Sequence, residues 1–167
     1  MNVPGKARQG PGGGTRLREI VHVTRPKEFA VASVLNPYIN FRGNARQAME
    51  FYQAVFGGEL RLNTFGQFGS DDTSLAEQIM HGQLETPSGY TLMASDTPPN
   101  MTLSPGDNIT ISLSGTDGGE LRGYWEKLSS SGKVSMPLEK QMWGDEFGSC
   151  VDQFGVRWMV NITQAQG

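Results

Sequence analysis

Two stretches of this chain align residue for residue: Pro87-Ser88-Gly89-Tyr90-Thr91-Leu92-Met93 and Gln153-Phe154-Gly155-Val156-Arg157-Trp158-Met159, with turn glycine and methionine in identical register. An internal repeat of this kind means two small modules that each leave a sheet face uncovered and pair into one continuous sheet. A chain of 167 residues with 37% apolar content can bury one core of useful size. The duplication therefore points to one domain made of two halves.

Each half carries the same order of elements. Val34 to Phe41 is patterned as an extended segment, and a short helix follows over 44–57. Asn44 suits its N-cap, Gln47 stands at the reciprocal capping-box position, and Gly57-Gly58 suits a left-handed stop. Ala48, Met49, Tyr52, Val55 and Phe56 share one helical face, so the helix must lie on something apolar. Glu59 to Phe65 alternates with a period of two, Gly66 to Ser74 is a polar loop, and Glu77 to Glu85 and Tyr90 to Ser95 form a hairpin around Pro87-Ser88-Gly89. The first half reads β-α-β-β-β.

Pro98, Pro99, Pro105 and Gly106 mark a linker. Beyond it, Ile109, Ile111 and Leu113 alternate with polar residues as a half-buried strand. Asp117 caps a second helix with Glu120 at the capping-box position, Leu121, Tyr124, Trp125 and Leu128 form its buried stripe, and Gly132 stops it. Strands over 133–141, 147–152 and 156–162 complete a second β-α-β-β-β unit. The boundaries expected are a flexible extension over 1–32, rich in Gly and Pro, then one domain over 33–163, with module one at 33–96, a linker at 97–107 and module two at 108–163.

Charge and cysteine content narrow the partners. The net charge of -3 divides into +4 over residues 1–32 (Lys6, Arg8, Arg16, Arg18, Arg25 and Lys27 against Glu19 and Glu28) and -7 over the rest. A body without clustered Lys and Arg is not built for nucleic acid. Cys150 is the single cysteine, so no internal disulfide forms, and a reducing cytoplasmic setting fits. No apolar run reaches the length of a signal core or a membrane span, and no membrane partner is expected.

The paired modules resemble the vicinal-oxygen-chelate superfamily, which includes glyoxalase I, extradiol dioxygenases and bleomycin-resistance proteins. Within it, Pro37-Tyr38-Ile39-Asn40-Phe41, Asn44-Ala45 through Phe51-Tyr52, Phe56-Gly57-Gly58 and Trp143-Gly144-Asp145-Glu146-Phe147-Gly148 resemble the PhnB-like subgroup. The likeness spans residues 34–163. It implies an α+β fold in which the two modules form a curved mixed sheet around a small-molecule cavity, with helices outside, and it implies a homodimer. Members of the subgroup often carry an inherited description as demethylubiquinone 3-methyltransferase. A methyltransferase using S-adenosylmethionine usually places a Gly-rich loop between strand and helix of a doubly wound parallel sheet, whereas this chain is patterned in hairpins.

In the metal-dependent members, the resemblance further implies four ligands, one each from the first and last strand of each module. The last-strand positions fall on Met93 and Met159, the first-strand positions on or near Pro37 and Asn108. Thioethers prefer soft ions and proline offers no side-chain donor, so the inherited metal site reads as dismantled, with no metal and no other cofactor expected. Met93 and Met159 then either fill core gaps or line an apolar cavity. His81 is either a satisfied structural histidine or a cavity residue. In Trp143-Gly144-Asp145-Glu146-Phe147-Gly148 the aromatics either cover a pocket mouth, with Asp145 bonding a ligand and Lys140 pairing Asp145, or pack as a plain hairpin turn.

The reading that follows is a small-molecule-binding protein with a metal-free cavity lined by Phe41, His81, Met93, Trp143, Asp145, Phe147 and Met159. Its rival is a metal-dependent lyase, isomerase or dioxygenase using His81, Glu85, Glu139 or Asp145 as ligands.

Overall fold

Each half of the chain threads a helix between its first and second strands, and each builds its own four-stranded sheet. In the computed structural model, which describes residues 33–164, strand β1 (Tyr38–Phe41) leads into helix α1 (Ala45–Phe56), then β2 (Glu59–Thr64), β3 (Ile79–Glu85) and β4 (Thr91–Asp96). The second half gives β5 (Ile111–Gly115), α2 (Gly118–Ser129), β6 (Lys133–Lys140), β7 (Glu146–Val151) and β8 (Arg157–Ile162). The expected extension over 1–32 lies outside the described residues.

The strand orders are β1-β4-β3-β2 and β5-β8-β7-β6. In both, the first and last strands run parallel and the other pairs antiparallel, because the helix carries the chain across the sheet while hairpins return it. The α+β architecture and the mixed pairing agree with the sequence, but the single continuous sheet does not form. The strands make two separate sheets, and β1 and β5 are edges with no ladder between them.

The core runs through both halves. Ala45, Ala48, Met49, Tyr52, Val55 and Phe56 of α1 are buried, as the spacing requires, against Ile79, Leu84, Leu92 and Ala94 of the first sheet. Leu121, Tyr124 and Leu128 of α2 join Leu113, Cys150, Trp158, Val160 and Ile162, while Trp125 is only partly buried. The halves meet through aromatic contacts: Phe56 lies 4.9 Å from Tyr124 and 5.6 Å from Trp158 between ring centroids, and Phe154 lies 5.5 Å from Phe51. Lys127 Nζ also donates to the Ala54 carbonyl at the end of α1, where a cation suits the helix dipole.

The two helix starts differ. Asp117 caps α2 as expected, accepting from the Glu120 amide at 3.0 Å. Asn44 makes no side-chain cap; the Ala45 amide is instead taken at 3.0 Å by Asp96 of β4, whose other oxygen accepts from the Ile79 amide at 2.9 Å. One buried carboxylate thus ties the helix start to the start of β3, satisfying one of the free first-turn amides from a distant strand. Neither capping box closes: Glu120 accepts from Ser88 Oγ at 2.6 Å and from the Tyr124 hydroxyl.

The repeat holds at atomic level in the hairpin turns. Thr86 N bonds Tyr90 O at 3.0 Å while the Thr86 hydroxyl accepts from Tyr90 N; Asp152 N bonds Val156 O at 2.9 Å while its carboxylate accepts from Val156 N. Gly89 and Gly155 close these turns at φ of +82° and +84°, a conformation that favours glycine. No helix among the described residues is long and apolar enough to cross a membrane.

Candidate functional site

Alternation along the last strand of each half decides which side chains are free to meet a ligand. On β4, Leu92, Ala94 and Asp96 are buried toward the helices and Met93 is not; on β8, Trp158, Val160 and Ile162 are buried and Met159 is not. Met93 and Met159 therefore stand on the face of each sheet that no helix covers, each half-buried. The register pairs Met93 with Tyr38 and Met159 with Ser112. The first-strand positions beside the methionines are thus Tyr38 and Ser112 rather than Pro37 and Asn108, and Asn108 precedes β5 altogether.

The two open faces differ in chemistry. Across the first sheet one row reads Tyr38, Met93, Gln83 and Arg61, and beside it stand Asn40 and Ser95, with His81 opposite Asn63. Arg61 pairs with Glu59 at 2.9 Å, which holds the Glu59 carboxyl below its usual range, and Gln83 donates to Glu85 at 2.6 Å. Across the second sheet one row reads Ser112, Met159, Ser149 and Met136, and the next Ser114, Asn161, Phe147 and Glu139. One face is polar around a single methionine, and the other sets two methionines and a phenylalanine among serines, Asn161 and Glu139.

The turn between β6 and β7 lies at the edge of this second face. Gly144, at φ +103°, bends it so that Gln141 N meets Asp145 O at 2.8 Å. Trp143 is 60% exposed, and its ring lies 6.4 Å from Phe147. Asp145 accepts from Asn161 Nδ2 at 2.9 Å and makes no ion pair with Lys140. Glu146 takes the nearby cation instead: Arg122 forms a two-point pair with it and holds its carboxyl low.

These placements sort the expected site residues. Met93 and His81 share the open face of the first sheet; Met159, Phe147 and Trp143 gather on or beside that of the second, with Asp145 tied to Asn161 there. Phe41 does not join them. Its register partner is Asp96, on the helix-facing side, and its ring lies 6.3 Å from Phe154 in the core. Phe41 does line a cleft of ≈ 700 Å³ along the seam between β1 and the segment before β5, and a second cleft of ≈ 390 Å³ on the same seam is floored by Phe56, Leu92 and Trp158. Neither of these two clefts reaches Met93 or Met159, so Phe41 and the methionines line different surfaces. Sequence reasoning missed Tyr38 and Gln83; the register to Met93 would have found them once β1 and β3 were placed.

The donor set can be tested against a metal. Tyr38, Met93, Ser112 and Met159 supply a phenol, two thioethers and a hydroxyl, none suited to a hard or borderline divalent ion. Among the described residues no three His, Cys, Asp or Glu side chains stand together as a ligand group, so His81, Glu85, Glu139 and Asp145 form no replacement centre. The residues present do not fit a divalent metal.

Comparison with known proteins places this arrangement. A family model described as 3-demethylubiquinone-9 3-methyltransferase matches residues 33–161. The crystal structure of protein PA1353 from Pseudomonas aeruginosa is 34% identical, with a TM-score of 0.72, covering 80% of this chain and 99% of that one. A structure titled putative 3-demethylubiquinone-9 3-methyltransferase, PhnB protein, from Bacillus cereus is 22% identical, with a TM-score of 0.61, covering 78% of this chain and 100% of that one. A glyoxylase/bleomycin resistance protein/dioxygenase domain from Frankia sp. EAN1pec shares the fold at 12% identity and a TM-score of 0.55, over 81% of this chain and 95% of that one.

Proposed function

This chain belongs to the 3-demethylubiquinone-9 3-methyltransferase family, the PhnB-like group, and from that premise we propose that it binds a small molecule in a metal-free cavity that a second copy of the chain completes. The observation that carries the reading is the equivalent placement of Met93 and Met159 on sheet faces that no helix among the described residues covers. Half-exposed apolar groups on an open face call for a partner surface, and Tyr38 (46% exposed), Met136 (44%) and Trp143 (60%) extend the same demand. Two copies laid face on face would enclose both methionines and leave a space walled by both kinds of face.

The methyltransferase description is the family's and is not the activity proposed. Both sheets are mixed four-stranded units whose helix joins the first strand to an antiparallel edge strand, which is not the doubly wound parallel frame that seats S-adenosylmethionine. The donor chemistry beside the methionines supports binding without a divalent ion, and nothing favours the lyase, isomerase or dioxygenase reading.

The test is titration with N-phenyl-1-naphthylamine, an uncharged aromatic whose fluorescence rises in apolar sites, together with elemental analysis of the purified protein. Saturable binding is expected, weakened about tenfold or more by Met159→Arg, which places a charge among the apolar side chains of the second wall. Stoichiometric nickel, zinc or iron, or binding indifferent to Met93→Arg and Met159→Arg, would refute the proposal.

A further inference from the structure

Tyr38 and His81 lie on different strands of the same open face, and their side chains lean together. The Tyr38 hydroxyl is 3.4 Å from His81 Nδ1, and the rings stand 5.9 Å apart, tilted by 33°. Tyr38 is the register partner of Met93. Taking the cavity reading above as its basis, we propose that this pair is an anion-receiving pole, and that the ligand is an aromatic or similarly apolar molecule carrying one acidic oxygen group, such as a carboxylate, sulfonate or phenolate.

The chemistry runs as follows. A protonated imidazole has two N–H donors and no acceptor. With Nδ1–H directed at the Tyr38 oxygen, the phenolic O–H is released from the pair and points away from it, and Nε2–H is likewise free. Two donors are then free on the face that Met93 shares, one of them on a cation. Charge-assisted hydrogen bonds of this kind are about twice as strong as neutral ones. In the neutral pair one proton is lost and the tyrosine O–H can be spent on Nδ1, so the pole weakens.

The carboxylates of this face already have donors. The charged groups on this face are Glu59 and Arg61 from β2 and Glu85 from β3; β1 presents Tyr38 and Asn40, and β4 presents Thr91, Met93 and Ser95, none charged. Glu59 is engaged by Arg61 and Glu85 by the Gln83 amide, so neither carboxylate is left without a donor for a ligand cation to replace. The opposite wall sets Met136, Phe147 and Met159 among Ser112, Ser114, Ser149, Asn161 and Glu139. An apolar body with one acidic oxygen uses the three apolar side chains and the pole together.

Two dyes separate this proposal from the reading beneath it. N-phenyl-1-naphthylamine and 8-anilinonaphthalene-1-sulfonate share an aromatic body, but only the second bears an anion, and its sulfonate stays ionised throughout the range used. Lowering the pH from about 8 to about 5 spans the range in which histidine side chains acquire charge. Binding of the sulfonate to the wild-type chain is expected to tighten about tenfold over that range, while binding of the neutral dye stays level. His81→Gln should flatten the sulfonate profile and Tyr38→Phe should weaken sulfonate binding at the low-pH end, each several-fold more than it changes binding of the neutral dye; His22→Gln should leave the sulfonate profile as steep as in the wild-type chain. A sulfonate profile that matches the neutral dye, or survives His81→Gln, overturns the proposal alone. Failure of both dyes to bind the wild-type chain overturns the cavity and the pole together.

Discussion

Asp152 joins the two halves through one side chain. It is 4% exposed and accepts four hydrogen bonds: Oδ1 from the amides of Phe154 and Val156 at 2.8 and 3.0 Å, Oδ2 from the Tyr52 hydroxyl and Trp158 Nε1 at 2.8 Å each. A carboxylate surrounded by donors tolerates no amide in its place, since the Asn NH2 would replace one acceptor oxygen and face donors. Asp152→Asn should cost about 2–3 kcal/mol in urea unfolding; a loss under about 1 kcal/mol would show that the four bonds contribute little. The same contact predicts an alkaline limit. Burial first, and the Asp152 charge second, push the Tyr52 hydroxyl far above the ordinary tyrosine value of 10.0. The folded protein keeps this proton where the unfolded chain releases it, so the contribution is complete below about pH 10 and is lost as pH rises above that. Urea midpoints should fall between about pH 9 and about pH 11, and less steeply in Tyr52→Phe.

At the scale of elements, the close packing of helix exit against hairpin turn recurs in both halves and rests on two glycines. A Cβ on Gly58 would lie 2.1 Å from the Glu85 carbonyl oxygen, and one on Gly132 would lie 2.2 Å from that of Val151. These are backbone atoms on the strand beneath and cannot swing away. Gly58→Ala and Gly132→Ala should each destabilise by about 2–3 kcal/mol or more. Gly123, inside α2 with open space where its Cβ would be, should do the opposite: Gly123→Ala should stabilise by about 1 kcal/mol. Thermal unfolding of the three variants checks the contrast, and equal effects would refute it. Helices and hairpins were legible in the sequence because period, turn glycines and caps are local signals. The Asn44 cap did not form, and the helix start is held instead by Asp96, distant in sequence on β4, which takes the Ala45 amide.

For the whole molecule, the decisive feature is that, among the described residues, each sheet has one face covered by helices and one face open. If a second copy closes the open faces, stability depends on protein concentration, and the melting temperature should rise with it. Sedimentation should give a dimer, and Met136→Glu, which sets a charge on the second sheet's open face, should shift it toward monomer and lower the melting temperature. A sedimenting monomer with a concentration-independent melt would refute this. The site was partly legible. Met93 and Met159 stood out through the repeat, and both lie on the face that no described helix covers; Phe41, expected beside them, is sent by strand parity to the helix side.

The sequence by itself determined the duplication, the order of strands and helices, the turn glycines and the buried stripe of each helix, because each depends on neighbours a few residues away. Only the tertiary structure decided that the modules form two sheets instead of one, that Asp96 and Asp152 span distant elements, and that Tyr38 stands beside Met93 and His81. Those outcomes depend on register and on which face each strand turns to the core, and a single-residue shift in either would reverse them.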